Sequence, residues 1–292
     1  MLLKGKNIVI TGSGRGIGKA VAIACAKEGA NIGLTSRTLE ELTNTKQKIE
    51  NLGTGSKVSI KTADITKYDD VSEIFKAFHG ELGVFNGVIA NAGASWLGFA
   101  HELDPEKFSM VINVNILGVF NTFKAAYPYF KKDDKTAKAR FLITGSAAYP
   151  SAAARLSAYY ASKYGVVGFQ KSLALECKRE NITVNVILPT QVDTKMLRGK
   201  RAGDGNKPNG VLDPEDLNDY YIFMMSDDAN RIHDELIYPS DFETVKKVIS
   251  ETPIGKKENW NTFREFLKEK APKAYKNVKR LNKLVEYFLA RF

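Results

Sequence analysis

The chain has 292 residues, 43% of them hydrophobic and 26% charged, which suits one large or two small domains and excludes a disordered or low-complexity protein. No run of about 18 apolar residues occurs, and the opening MLLKGKNIVITG enters a strand pattern before a signal-peptide core could fit, so a soluble, cytoplasmic protein is expected. The formal charge of +10 is uneven: residues 241–292 hold 13 Lys/Arg against 7 Asp/Glu, which leaves the body near neutrality and argues against nucleic-acid binding.

In chain order, β-rich apolar runs alternate with helix-length amphipathic segments. Strands are expected at Asn7–Thr11, Asn31–Ser36, Lys57–Thr62, Val84–Ala90, Ala139–Thr144, Thr183–Leu188 and Glu235–Tyr238. Seven strands with intervening helices predict an α/β fold with a doubly wound parallel sheet. Helix starts carry their own signals. Thr38 with Glu41 and Thr66 with Asp69 have capping-box spacing, and Asp104-Pro105 and Asp213-Pro214 read as an N-cap followed by proline at the first helical position. Cys25 and Cys177 read as reduced core thiols, and His79, His101 and His233 share no ligand spacing, so no metal is expected.

The first strand runs into Thr11-Gly12-Ser13-Gly14-Arg15-Gly16-Ile17-Gly18 and then a helix. Glycines at a strand-to-helix turn let backbone amides approach a pyrophosphate at a helix N-terminus. Roughly 20 residues on, where a dinucleotide fold reads the adenosine ribose, stands Ser36-Arg37. An acid there selects NAD and an arginine accommodates the 2′-phosphate of NADP. With Arg15 as a second cation, and Glu41 assigned to the capping box, NADP is the expected cofactor.

Three Tyr-x-x-x-Lys pairs occur: Tyr127 with Lys131, Tyr159 with Lys163, and Tyr275 with Lys279. Only the middle pair has a serine thirteen residues upstream at a strand end, Ser146 after RFLIT-Gly. A phenol has a reference pKa near 10; a neighbouring ammonium lowers it and makes tyrosine a proton carrier near neutrality.

With these motifs in order, the sequence resembles the short-chain dehydrogenase/reductase family over about Met1–Pro239. The resemblance rests on TGSGRGIG (Thr11–Gly18), Asp64, Asn91-Ala92-Gly93, Asn115 in VNILG, Ser146, YYASK (Tyr159–Lys163) and ILPTQVDT (Ile187–Thr194). It implies a Rossmann-like domain over residues 1–240 that moves a hydride between NADP(H) and a ketone or secondary alcohol. Ser146 would polarise the substrate oxygen, Tyr159 act as acid/base, Lys163 lower the tyrosine pKa and hold the nicotinamide ribose, and Asn115 support a water relay. Asp64 would contact adenine, Asn91 lie near the adenine ribose and Thr194 bind the carboxamide, with Ile65, Ala92, Gly93 and Pro189 as further cofactor contacts. Two departures stand out: Ala90 precedes Asn91 where the family has asparagine, and Thr190 follows Pro189 where it has glycine. A more specific reading of the same chemistry is a 3-oxoacyl thioester reductase, and a non-catalytic one is an NADP(H)-binding sensor. A homo-oligomer, dimer or tetramer, is implied; a membrane partner is not.

Trp96, Phe99, Tyr149 and Leu156 are candidate walls of a substrate pocket. Residues 195–210, rich in glycine and lysine, read as a mobile cationic loop. Residues 241–292 are expected to form a helical extension packed on the domain or an oligomer partner, with capping boxes at Ser240/Glu243 and Thr262/Glu265. Pro272 would start a last helix with Val278, Leu281, Val285, Phe288, Leu289 and Phe292 inward and Lys279, Arg280, Lys283 and Glu286 outward.

Overall fold

Seven strands form one sheet in which every pairing is parallel, and the connecting helices cover both faces. In this computed structural model, residues 1–132, 137–250 and 260–289 are described. The strands are β1 (Asn7–Thr11), β2 (Asn31–Ser36), β3 (Val58–Thr62), β4 (Gly87–Ala90), β5 (Ala139–Thr144), β6 (Ile182–Ile187) and β7 (Leu236–Ile237). Their order is β3-β2-β1-β4-β5-β6-β7, so the winding reverses between β1 and β4. In a doubly wound sheet a ligand crevice opens at that reversal, beyond the carboxyl ends of the strands. β1, β2 and β5 have the expected bounds and the others shift by one to three residues. Val84–Asn86 falls outside β4 because Phe85 instead takes a bridge to Phe130.

The helices are α1 (Gly16–Lys27), α2 (Leu39–Glu50), α3 (Tyr68–Leu82), α4 (Pro105–Ile112), α5 (Gly118–Ala126), α6 (Ser157–Cys177), α7 (Lys195–Arg198), α8 (Asn218–Met225), α9 (Pro239–Ser250), α10 (Trp260–Lys270), α11 (Pro272–Val278) and α12 (Asn282–Leu289). Asp104 caps α4 as expected, its carboxylate accepting from the Glu106 amide at 2.8 Å, and Asp216 accepts from the Asp213 amide at 2.8 Å. Two expected boxes do not form. Glu41 turns away from Thr38 to Arg15, 3.2 Å away. Thr66 donates to Asp64 at 2.8 Å, and Lys67 takes the cap position of α3.

Past β7 the chain does not stop but builds α9 to α12 against α8. Val278, Leu281, Leu284, Val285, Tyr287 and Phe288 are buried in the same core as β1, β2 and α1. Phe288 packs on Tyr220 and Phe242 with ring centroids at 5.0 and 5.7 Å, and Tyr287 on Phe223 at 5.2 Å. Burial contributes on the order of 1.5–3 kcal/mol per large apolar side chain, so this stripe anchors the extension to its own domain. The single last helix expected after Pro272 is instead two helices, α11 and α12, that bend at residues 279–281 to bring both apolar faces onto α8 and α9. Ser240 and Thr262 lie inside α9 and α10 rather than capping them, and Glu243 accepts from the Tyr220 hydroxyl at 3.1 Å and from Lys246 at 2.7 Å. Phe292 lies outside the described residues.

Candidate active site

The glycine turn after β1 is shaped by close backbone approach. Gly12 and Gly16 have φ of 66° and 53°, in the left-handed region that favours glycine. A Cβ on Gly18 would stand 2.3 Å from the Gly12 carbonyl oxygen, and one on Gly12 2.8 Å from the Ala92 Cα. Ser13 and Gly14 are buried, while α1 begins with no side-chain cap and no acid in its first turn. The free amides there suit a pyrophosphate, as its partial positive charge favours an anion. Thr11 and Asn91 tie this turn to β4. The Thr11 hydroxyl accepts from the amides of Asn91 and Ala92 at 3.1 Å, and the Asn91 side chain donates to the carbonyls of Thr11 and Gly12 at 3.1 and 3.2 Å. Thr194, just before α7, lies against Gly16, its methyl 3.1 Å from where a Cβ would be.

At the outer end of the crevice, Arg37 and Asp64 line an open cleft of about 360 Å³ with Thr66, Glu106, Ser109, Met110, Asn113 and Val114. Asp64 accepts from the Thr66 amide and hydroxyl at 3.0 and 2.8 Å. Burial pushes its pKa up, but these bonds and the nearby Arg37 outweigh that and hold it below the usual carboxylate range. Ile65 is buried against Gly118, and its carbonyl accepts from Asn121 at 3.0 Å. Arg37 is exposed and forms no ion pair among the described residues, whereas Arg15 is engaged by Glu41.

The candidate catalytic groups lie where β5 meets α6. Ser146 follows β5, and Tyr159 and Lys163 lie one turn apart on α6. The Lys163 ammonium is 5.6 Å from the Tyr159 ring centroid and donates to the Thr144 carbonyl at 3.2 Å. Burial lowers the Lys163 pKa to about 8, which leaves it charged at neutral pH. Tyr159 runs against the expectation of a lowered pKa. Burial raises it, and the neighbouring Ser146 hydroxyl offsets only part of that. The phenol is therefore protonated near neutrality. The other two Tyr-Lys pairs lie elsewhere: Tyr127 donates to Glu180 at 2.6 Å, and Tyr275 is in α11.

Asn115 sits in a π-helical turn, Asn113–Leu117, that links α4 to α5. Its side-chain oxygen accepts from the Ala94 amide at 2.8 Å, and its amide donates to the Ala94 carbonyl at 2.9 Å and to Ser162 at 2.8 Å. The side chain thereby fastens the loop after β4, Gly93 included, to α6. Pro189 does similar work after β6, its carbonyl accepting from the Ala147 amide at 2.8 Å beside Ser146. Residues 195–210 are organised around Arg198, which donates to Asp193 at 3.1 Å, Asp204 at 2.8 Å and the Asn206 carbonyl at 3.0 Å. Two functional-site supports escaped the sequence reading: Thr144, which receives Lys163, and Tyr221 of α8, whose hydroxyl lies 2.8 Å from that of Thr144. Nothing local marks them, since they are 77 positions apart.

The sequence model of the short chain dehydrogenase family matches residues 6–205, which include the glycine turn, Ser146, Tyr159 and Lys163. The chain belongs to that family. It is therefore an oxidoreductase with a nucleotide-binding fold. This short chain dehydrogenase is 33% identical over 211 residues to (-)-trans-carveol dehydrogenase of Rhodococcus erythropolis, covering 68% of this chain and 75% of that one. It is 28% identical over 249 residues to D-beta-hydroxybutyrate dehydrogenase of Cupriavidus necator, covering 79% and 95%. A solved 3-ketoacyl-(acyl-carrier-protein) reductase from Brucella melitensis, complexed with NADH, superimposes with a TM-score of 0.72 at 27% identity, covering 80% and 96%. Among the described residues no group of three or more His, Cys, Asp or Glu is placed to hold a metal, and no helix is long and apolar enough to cross a membrane. Cys25 and Cys177 are buried thiols whose pKa values burial pushes up to about 12 and about 11.

Proposed function

We propose that this short chain dehydrogenase reduces a ketone to a secondary alcohol with NADPH, and can run the reverse oxidation. The observation that carries the reading is the placement of Tyr159 and Lys163 one turn apart on α6 beside the end of β5, with the buried Lys163 ammonium 5.6 Å from the Tyr159 ring centroid and held by the Thr144 carbonyl at 3.2 Å. A carbonyl oxygen placed between Ser146 and Tyr159 would accept from both hydroxyls. The phenol is then positioned to give that oxygen its proton as negative charge develops there. Lys163 holds its charge beside the phenolate so formed, which stabilises it and favours its reprotonation. When bound, the nicotinamide supplies the hydride, or accepts it in the reverse direction.

The glycine turn from Gly12 to Gly18 would hold the pyrophosphate on the amides at the start of α1, Asp64 and Ile65 would flank adenine, and Thr194 would meet the carboxamide. Arg37 would take the 2′-phosphate of NADPH, being exposed in the cleft it shares with Asp64 and in no ion pair among the described residues. Arg15 gives less help than the sequence suggested, because Glu41 neutralises it. The named relatives use an alcohol, a hydroxy acid and a 3-ketoacyl carrier, so a 3-oxoacyl thioester is the alternative substrate; an NADP(H) sensor without turnover is the non-enzymatic one. A carbonyl panel assayed with NADPH and NADH separates them. Consumption of NADPH at least tenfold faster than NADH, with Arg37→Asp narrowing the gap, is the expected result. Equal use of the two cofactors would remove the NADPH assignment, and binding without turnover of any ketone would favour the sensor.

A further inference from the structure

The loop after β4, which the Gly98 amide ties to Arg155 just ahead of α6, and α7 carry large apolar side chains that the fold leaves in water. Trp96, Leu97 and Phe99 after β4, and Met196 and Leu197 of α7, are 44–63% exposed. The two segments adjoin, for the Met196 methyl reaches within 3.5 Å of where a Cβ on Gly93 would lie. Between them and α6 stands Arg155, four residues before Tyr159. Its backbone has φ 67°, a left-handed conformation rare for a residue of this kind, and its carbonyl accepts from the Gly98 amide at 2.9 Å. The guanidinium is thereby turned onto the loop after β4, 5.6 Å from the Phe99 ring centroid. Arg155 has no carboxylate partner among the described residues. The acids nearest in chain order on the facing segments are already engaged: Arg198 holds Asp193 and Asp204, and Glu102 lies 3.6 Å from His101.

We propose that Arg155 reads an anionic group on the substrate, a carboxylate or a phosphate, while the Trp96, Leu97, Phe99, Met196 and Leu197 rim takes its hydrocarbon part. A guanidinium backed by an aromatic ring keeps its fork of N–H donors for a planar anion, and the ring supplies the apolar surface beside it. The substrate class is thus an amphiphilic oxo compound with the anion on the Arg155 side of the carbonyl. This deepens the reductase reading and rests on it for the position of the carbonyl.

Binding tests it without turnover. Calorimetry on the full chain with NADP+ present would compare octanoate, octyl phosphate and octanamide, which share the hydrocarbon and differ in charge. At least one anion should bind tenfold or more tightly than octanamide, the tighter of the two identifying the group. Arg155→Asn suits the left-handed backbone and lacks the charge; it should abolish that preference while leaving octanamide affinity within twofold, and Arg155→Lys should restore part of it. Equal affinities in the unsubstituted chain, no binding of any of the three, or a preference that survives in Arg155→Asn would each overturn the proposal. Failure of the reductase reading would show separately, as absence of turnover across the ketone panel with ligand binding intact.

Discussion

The two ends of the same sheet treat charge in opposite ways. At the amino ends of the strands, charged and amide side chains pair with one another: Lys6 donates to Asp227 at 2.7 Å, and Arg140, almost fully buried, donates to Asn230 at 2.7 Å and lies 3.5 Å from Asp227. Asn7, Asn31 and Asn86 continue the lattice, with Asn31 donating to Asn7 and the Asn7 amide to Asn86, both at 2.9 Å. At the carboxyl ends, Arg37 forms no ion pair and Arg155 and Lys163 have no carboxylate partner among the described residues, and Lys163 has a backbone carbonyl instead. Arg15 with Glu41, and Arg198 with Asp193 and Asp204, are exceptions. The difference teaches where the fold places its stability and where it holds groups in readiness: a cation already neutralised by the protein has little left for a ligand.

The largest effect that would sharpen this contrast comes from Tyr159→Phe. It removes one hydroxyl at the reactive end, so kcat should fall at least about 100-fold, as expected for a general acid, with the melting temperature nearly unchanged. Retention of most of the turnover in steady-state assays would reassign the proton to another group, Tyr160 first. At the opposite end, Asp227→Ala should do the reverse. It leaves Lys6 and Arg140 buried without their carboxylate, and a loss of about 1–3 kcal/mol in urea unfolding is expected, moderated because Asp227 itself is half in water. Its kcat/KM should stay within twofold. A variant as stable as the parent would mean that the amino-end lattice is not where stability resides.

Raising the pH should separate the two ends without mutation. Lys163 has its folded pKa lowered to about 8 from an ordinary 10.5, so it is charged below about 8 and loses its proton above. Carbonyl reduction should decline as pH rises through that value. The sign for stability is the opposite. Between about 8 and 10.5 the unfolded chain holds more of this proton than the folded one, so the contribution of Lys163 to stability rises across the window in which activity is lost. Activity and unfolding measured together should therefore diverge. A parallel decline would mark simple unfolding.

Much of this molecule was legible in its sequence, for physical reasons that differ by region. β1, β2 and β5 are buried apolar runs bounded by turn residues, and the glycine turn has few alternatives when Gly18 must sit against a carbonyl oxygen. What stayed hidden depends on partners far along the chain. The capping box at Thr38 fails because Arg15, twenty-six residues before Glu41, competes for the carboxylate. The phenol of Tyr159 was expected to be acidified by Lys163, but burial, which no spacing reveals, raises it instead. Residues 195–210 looked loose by composition, yet Arg198 draws Asp193, Asp204 and Asn206 around one guanidinium. Periodicity runs unbroken through 278–288 while the chain bends in the middle.

The smallest expected effect concerns the link between the C-terminal helices and the reactive end. Tyr220 and Tyr221 are neighbours on α8 with hydroxyls that go separate ways: Tyr220 to Glu243 of α9 at 3.1 Å, Tyr221 to Thr144 at 2.8 Å. Substitution to phenylalanine removes the contact with Thr144 in Tyr221 and those with Glu243 and the Pro239 carbonyl in Tyr220, each hydrogen bond worth roughly 0.5–1.5 kcal/mol, and both variants should have a melting temperature lower by a few degrees. Only Tyr221→Phe releases Thr144, whose carbonyl receives the Lys163 ammonium at 3.2 Å. A looser acceptor favours the charged amine less, so the pH above which activity falls should move down by a few tenths of a unit in Tyr221→Phe and stay put in Tyr220→Phe. Identical pH profiles for the two variants would make Tyr221 a packing residue alone, and would confine the work of the extension to holding α8 in place.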